Sequence, residues 1–135
     1  MGVAMNTVPD NEKLTINLGF VDLGNIDLLV RNGLYANRSD FIRTAVRNQI
    51  QNHSDVAKQA TSRLTLELGA RHFSKRELED LKSRNELLNI RVLGLVTIAN
   101  DVSPELAKAT ITSLTVLGAL HASADVKAAL ADRMN

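Results

Sequence analysis

The chain has 135 residues, of which 44% are hydrophobic, so it is long enough to bury a core as one domain or as two small ones. It contains no cysteine, which excludes disulfides and thiolate metal sites, and its 3% aromatic content disfavours base stacking of single-stranded nucleic acid. The formal net charge of +1 gives no sign of a nucleic-acid partner, and because neither a leader-like segment nor a long apolar run is present, we expect a soluble, cytoplasmic protein.

The first predicted element is a strand at residues 12–20, EKLTINLGF, which follows a flexible N-terminal arm at residues 1–11. Apolar and polar side chains alternate along it, which is the period of a half-buried strand. The apolar set is Leu14, Ile16 and Leu18, and the polar set is Lys13, Thr15 and Asn17. About thirty residues of helical pattern follow, so no partner strand lies within hairpin distance. We therefore predict that the strand pairs with the same strand of a second copy.

Two helices are predicted after this strand. The first covers about residues 22–32, with its apolar residues on one stripe, and Gly33 is typical of a left-handed C-terminal stop. The second begins after Asn37 as its N-cap, with Asp40 three residues on to close a capping box. Residues 52–62 are mostly small and polar, so they form either a frayed continuation of the second helix or a linker.

The segments KLTINL and IDLLVRNGLYANRSDFIRTAVR resemble the ribbon-helix-helix family of DNA-binding proteins, which includes the MetJ, Arc and CopG types. The resemblance covers about residues 12–54, and it is most specific in the second segment. It implies an intertwined homodimer in which two antiparallel strands form a ribbon. Such a ribbon is narrow enough to enter the major groove of double-stranded DNA.

The same resemblance implies which residues contact DNA. Lys13, Thr15 and Asn17 would read bases, and lysine, threonine and asparagine are side chains that bond base edges in the major groove. The start of the second helix would hold a phosphate. The residues of this site are Asn37, Arg38 and Ser39, and Arg43, which lies opposite the apolar stripe of the second helix, is a further candidate for a phosphate contact. Each of these predictions has an alternative without DNA. The polar residues of the strand could simply form a solvated face, and the start of the second helix could be a plain N-cap without a ligand. Arg43, together with Arg47, could lie on a solvated helix face.

From Leu64 onward the sequence repeats itself at a spacing of 24 residues, and each copy is predicted to form a short strand and then a helix. The helix starts are marked by Ser74, Ser103 and Ser123. A unit of this length is typical of stacked solenoids, although an ordinary small α/β domain with chance similarity is the alternative. The corresponding positions are Leu66, Ile90 and Leu114; Leu68, Val92 and Val116; Ala70, Gly94 and Gly118; and Leu78, Val102 and Val126.

The sequence offers little for an enzyme or for a metal centre. His53, His72 and His121 are scattered and have no paired carboxylate nearby to complete a ligand set. No glycine-rich phosphate loop and no nucleophile motif appears. We therefore expect no catalytic residues, no metal and no cofactor.

The predicted fold class is α+β: a ribbon-helix-helix domain at residues 12–54, a linker or helix extension at residues 55–63, and a small β/α repeat domain at residues 64–135. We expect a sequence-specific, repressor-like transcriptional regulator whose residues 64–135 mediate oligomerisation or partner binding, joining dimers by continuing the sheet between chains. Two alternatives stay open. One is an antitoxin-type autorepressor whose C-terminal half binds a toxin protein, and the other is a plasmid or chromosome partition protein.

Overall fold

The computed structural model describes residues 11–135, which form two compact units at residues 11–59 and 60–135. All but the last residue of the predicted N-terminal arm lies outside the described residues. The helices of the first unit are α1 at Phe20–Arg31 and α2 at Arg38–Asn52, and α3 at Ser54–Leu64 begins in the first unit and ends in the second.

Helix α1 begins two residues earlier than predicted and ends close to the predicted stop. Phe20, which the strand prediction included, is its first residue, and Gly19 is the N-cap. At the other end Gly33 has a φ of 82°, and the N–H of Leu34 donates to the carbonyl oxygen of Leu29 at 3.1 Å. This is the left-handed glycine stop that the sequence predicts, in which the chain reverses without strain.

The start of helix α2 is fixed by two side-chain caps. Asn37 is the N-cap, and its Oδ1 accepts a hydrogen bond from the N–H of Asp40 at 2.8 Å, as predicted. Asp40 does not close the predicted capping box on the N-cap residue itself. Its carboxylate accepts from the N–H of Ala36 at 2.9 Å, so the reciprocal bond is made one residue earlier in the chain.

Residues 52–62, predicted as a frayed extension or a linker, lie mostly within helix α3. His53 separates this helix from α2 and is the C-cap of α2. The segment is therefore a helix in its own right rather than the last turns of α2.

The first unit has almost no core as a single chain. Between Asn11 and Gly19 the chain has neither helix nor strand, and it makes no sheet pairing with any other described segment. Leu14 is 84% exposed and Ile16 is 52% exposed, whereas Ile26 is the one buried hydrophobic side chain among residues 11–59. A strand needs a hydrogen-bonded neighbour, so the strand predicted here requires a second chain.

The second unit consists of three strand and helix pairs followed by a short 3₁₀ helix. The strands are parallel and lie in the order β1, β2, β3, so the helices connect neighbouring strands. The chain as a whole mixes helices and a sheet, which agrees with the predicted α+β class. The elements are β1 at Glu67–Phe73, α4 at Lys75–Ser83, β2 at Leu88–Ile98, α5 at Pro104–Thr110, β3 at Ile111–His121, α6 at Ala124–Leu130 and the 3₁₀ helix at Ala131–Arg133.

The three predicted serine caps are present. The hydroxyl oxygens of Ser74, Ser103 and Ser123 each accept a hydrogen bond from the backbone N–H three residues later, at 3.1 to 3.2 Å. Pro104 occupies the first position of α5, where its missing N–H costs no hydrogen bond. These local signals determine where each helix begins.

The predicted repeat alignment is right between the second and third copies and wrong for the first. Gly94 pairs with Gly118, at the expected spacing of 24 residues. On the other side Gly94 pairs with Gly69 and not with the predicted Ala70, so β1 is shifted by one residue. The reason is conformational, because all three paired glycines have φ between 120° and 142°, which alanine does not adopt without strain.

Leu78, Val102 and Val126 were also predicted to correspond. They share burial in the core, but they do not occupy equivalent positions relative to their helices. All three side chains are buried in the core. Leu78 and Val126 lie in the first turns of their helices, whereas Val102 lies just before the N-cap Ser103. The chain between β2 and α5 is longer than the other two strand-to-helix connections, which moves Val102 out of the helix.

The core of the second unit lies between one face of the sheet and helices α4 to α6. The 3₁₀ helix and the last residues cover part of the free edge of β3: Met134 forms a bridge with Leu114, and the N–H of Asn135 donates to the Leu114 carbonyl oxygen at 3.0 Å. Continuation of the sheet into a second chain is therefore obstructed at this part of the edge. The buried core residues are Phe73, Leu78, Ile90, Val92, Val96, Ile98, Val102, Leu106, Ala107, Ile111, Leu114, Val126 and Leu130.

Candidate nucleic-acid interface

The polar side chains predicted to read bases lie in the segment before α1. Lys13, Thr15 and Asn17 are exposed in the single chain. Ile16 and Leu18, which alternate with them, line an open cavity of about 460 Å³ in the first unit. Ile16 and Leu18 are therefore directed toward the helices, whereas Leu14 is exposed in the single chain together with the three polar residues.

The rest of this cavity is formed by the apolar stripes of α1 and α2. Ile26 and Leu29 contribute from α1, and Ile42 and Val46 contribute from α2. Val46 is 51% exposed, so this surface is incompletely covered by its own chain. An open space lined mostly by aliphatic side chains is suited to receive aliphatic side chains from another protein surface.

The N-terminus of α2 carries partly unsatisfied backbone donors. The N–H groups of Arg38 and Ser39 lie in the first turn, where a helix supplies no acceptor for them. The partial positive charge of a helix N-terminus favours an anion at this position. The side-chain oxygen of Asn37 already accepts the hydrogen bond from Asp40 that caps the helix. Asn37 could therefore bind an anion only through its backbone N–H.

Arg38 is bound to an acidic residue that the sequence analysis did not identify. Its Nε and Nη2 atoms donate to Oδ1 and Oδ2 of Asp27, both at 2.8 Å, which is a bidentate ion pair between the start of α2 and the middle of α1. The hydrogen bonds from Arg38 lower the pKa of Asp27 below its ordinary value, and those bonds raise the pKa of Arg38. Arg38 therefore positions the two helices, and its charge is partly compensated.

We expect the stability of this helix pair to depend on pH through Asp27. Because the pKa of Asp27 is lowered in the folded chain, the ion pair stabilises fully above the ordinary carboxyl pKa and is lost as the pH falls through the lowered value. Asp27→Asn should melt at a lower temperature than the wild type at neutral pH. The difference should shrink as the pH falls below the ordinary carboxyl pKa and through the lowered pKa of Asp27, which circular dichroism melts at several pH values would measure. An equal difference at every pH would contradict this assignment.

The remaining predicted phosphate contact, Arg43, is exposed on α2. Arg47 lies one turn further along the same helix and is also exposed. Neither forms a salt bridge among the residues that the structure describes. Both guanidinium groups are thus available to a ligand or to solvent.

The described part of the chain contains no arrangement typical of a metal site. Within residues 11–135, no group of three or more histidine, cysteine, aspartate or glutamate residues is arranged to hold a metal ion. No described helix has the length and the apolar content needed to cross a membrane.

Comparison with known proteins gives one match. The sequence profile of the ribbon-helix-helix transcriptional regulator family matches residues 9–127, which cover the first unit and most of the second. No curated protein and no solved structure matches the chain. Because this profile covers well over half of the sequence and includes the segment with Lys13, Thr15 and Asn17, the chain belongs to the ribbon-helix-helix transcriptional regulator family.

Proposed function

We propose that the protein is a sequence-specific repressor that binds double-stranded DNA as a homodimer and inserts a two-stranded ribbon into the major groove. Proteins of its family are DNA-binding regulators that act as dimers. The observation that supports the proposal best is the alternation at residues 13–18, where Ile16 and Leu18 line an open apolar cavity while Lys13, Thr15 and Asn17 are exposed.

Pairing with a second chain would stabilise residues 13–18 in two ways, through backbone hydrogen bonds and through burial of apolar side chains. An antiparallel partner supplies backbone hydrogen bonds along the strand, and the apolar side chains of both strands can then fill the open cavities of the two chains. Burying one isoleucine or leucine side chain contributes about 1.5 to 3 kcal/mol, so several from each chain are enough to stabilise a dimer.

In the dimer the polar set would be presented twice on the outer side of the ribbon. Asparagine can bond adenine in bidentate fashion, lysine can donate to the acceptors of guanine, and threonine offers a hydroxyl and a methyl group. The proposed phosphate contacts at the start of α2 are the backbone N–H groups of residues 37–39, with Arg38 and Arg43 adding charge. Phosphate contacts of this kind fix the register of the ribbon on the duplex.

Thr15→Ala and Asn17→Ala are expected to reduce discrimination between the operator and random DNA by about 1 to 3 kcal/mol for each lost base contact. Selection of bound fragments from a random DNA pool would identify the operator, and titrations of operator and random duplexes would then measure the discrimination. Gln51→Ala on the exposed surface of α2 is the control and should leave it unchanged. Full operator preference in both test variants would rule out base reading by the ribbon.

Replacement of Arg38 tests the phosphate contact. We expect Arg38→Gln to weaken binding to operator and random DNA alike and to make the slope of log K against log salt shallower by up to about 0.9 per lost phosphate contact. Asp27→Asn is the matched variant, because it removes the compensating charge while Arg38 is kept. It should steepen the salt dependence or leave it unchanged, and a shallower slope would contradict the proposal.

We further propose that residues 64–135 form the domain through which regulator dimers assemble. The extensive core of the second unit supports a domain that is folded in the free protein. Toxin-binding segments of antitoxins are often disordered alone and fold only on binding. A domain that is folded in the free protein therefore favours an assembling regulator over an antitoxin. Light scattering of the full chain should give a mass above that of a dimer.

A further inference from the structure

The sheet of the second unit has an uncovered face. Helices α4, α5 and α6 all pack on the side where Ile90, Val92 and Val96 are buried. We call the opposite side of β1, β2 and β3 the outer face, and no element of residues 60–135 packs over it. Parallel sheets are found almost only with both faces covered, so an open face indicates that something else covers it.

Three rows of side chains cross the outer face in register. The first row is Leu68, Leu93 and Leu117, which are 71%, 36% and 47% exposed. The second row, two residues further along each strand, is Ala70, Leu95 and Ala119. The third row is His72, Thr97 and His121. The first two rows form a continuous apolar patch of the kind that marks an interaction surface.

We infer that the outer face packs against the outer face of a second copy of this chain. The first two rows contain no charged side chain, so two identical patches meet without repulsion between like charges. Arg91 lies two residues before Leu93 on β2, and its Nη1 donates to the carbonyl oxygen of Leu64 in the same chain at 3.2 Å. A basic or acidic partner would find no complementary charge in the centre of the face.

The shapes of the two rows also fit a two-fold arrangement. Rows that are two residues apart along a strand are separated by about 6.6 Å, and packed sheets lie about 10 Å apart. A two-fold axis between the rows lays Leu68 and Leu117 of one copy over Ala70 and Ala119 of the other, and Leu93 over Leu95. On the two outer strands large side chains then meet small ones, which permits close packing, and on the middle strand two leucines meet.

The size of the face indicates that it acts together with another contact. Three strands about 4.8 Å apart and three rows about 6.6 Å apart span roughly 10 by 13 Å between outermost backbone positions. Even with the side chains around these positions, such a patch is smaller than the about 800 Å² of accessible surface per partner that a stable interface buries. The inference therefore rests on the proposed function, because it requires that the ribbon already joins chains in pairs. Chains held together in this way present their outer faces to each other at a raised effective concentration, so a small second contact can form.

Cysteine crosslinking of the full chain tests the outer face directly, because the natural sequence has no cysteine. Leu93→Cys and Leu117→Cys replace partly exposed leucines, and Lys82→Cys on exposed α4 is the control. With a bismaleimide of about 10 Å reach, we expect a two-chain product from both outer-face variants at least about tenfold more abundant than from the control. Equal crosslinking in all three variants would overturn the inference.

A charge introduced on the face gives an independent readout. Leu117→Asp should lower the mass of the assembly in light scattering, or it should abolish crosslinking when it is combined with Leu93→Cys. The control Ala124→Asp, at the exposed start of α6, should have neither effect. Retention of both crosslinking and mass in Leu117→Asp would overturn the inference. Failure of base reading is distinguished by the operator titrations, because loss of base contacts by Thr15 and Asn17 leaves the crosslinking result unaffected. Failure of the ribbon pairing is distinguished by the oligomeric state of Ile16→Asp in analytical ultracentrifugation.

Discussion

Ile16→Asp is expected to dissociate the protein into monomers and to abolish operator binding. Ile16 lines the open apolar cavity of the first unit and is 52% exposed in a single chain. In the proposed ribbon this side chain is buried by the second strand. The change removes about 1.5 to 3 kcal/mol of apolar burial per chain and adds the cost of desolvating a carboxylate, so the dissociation constant of the dimer should rise by at least about 100-fold.

The matched control for this variant is its neighbour Thr15→Asp, which places the same charge on the other side of the strand. We expect it to remain a dimer in analytical ultracentrifugation and to lose operator binding, because its carboxylate would face the bases and phosphates. If Ile16→Asp stays dimeric at micromolar concentration, or if both variants dissociate equally, the assignment of the two sides of the strand is wrong.

Gly94→Ala is expected to destabilise the second unit by about 3 kcal/mol or more. The φ of Gly94 is 142°, which side chains other than glycine adopt only with strain, and a Cβ at this position would overlap the backbone carbonyl oxygen of Gly69. Strain of this kind costs about 1 to 3 kcal/mol, and the overlap adds to it because a neighbouring strand must move. Chemical denaturation monitored by circular dichroism would measure the loss.

Gly24→Ala is the control for this substitution. Gly24 lies inside α1, and no heavy atom comes within 4 Å of a Cβ built on it. We expect this change to stabilise the chain by up to about 1 kcal/mol through the helix propensity of alanine. Equal stability of the two alanine variants would contradict the account of the glycine positions in the sheet.

Local chemistry explains what could be predicted from the sequence. The helix starts after Asn37, Ser74, Ser103 and Ser123 were predictable because a capping side chain bonds an N–H only three residues away. The stop at Gly33 was predictable for a similar reason, since the left-handed conformation and its hydrogen bonds involve only neighbouring residues.

Features that depend on contacts distant in sequence could not be predicted in the same way. The ion pair of Arg38 with Asp27 joins residues eleven positions apart on different helices, and no spacing rule links them. The shift of β1 that pairs Gly69 with Gly94 depends on how neighbouring strands approach each other. The start of α1 at Phe20 was not predicted, because its N-cap is Gly19, which offers no side chain to bond the first N–H groups of the helix and so gives no capping signal.

The proposed function depends on residues 13–18 of two chains lying side by side in an antiparallel ribbon. Isotope-filtered NMR on a dimer of one labelled and one unlabelled chain tests it most directly. We predict nuclear Overhauser effects between the backbones of Leu14 to Leu18 in the two chains, with the amides of this segment protected from exchange. Contacts of this segment only with its own chain, or rapid exchange of all its amides in the dimer, would contradict the account.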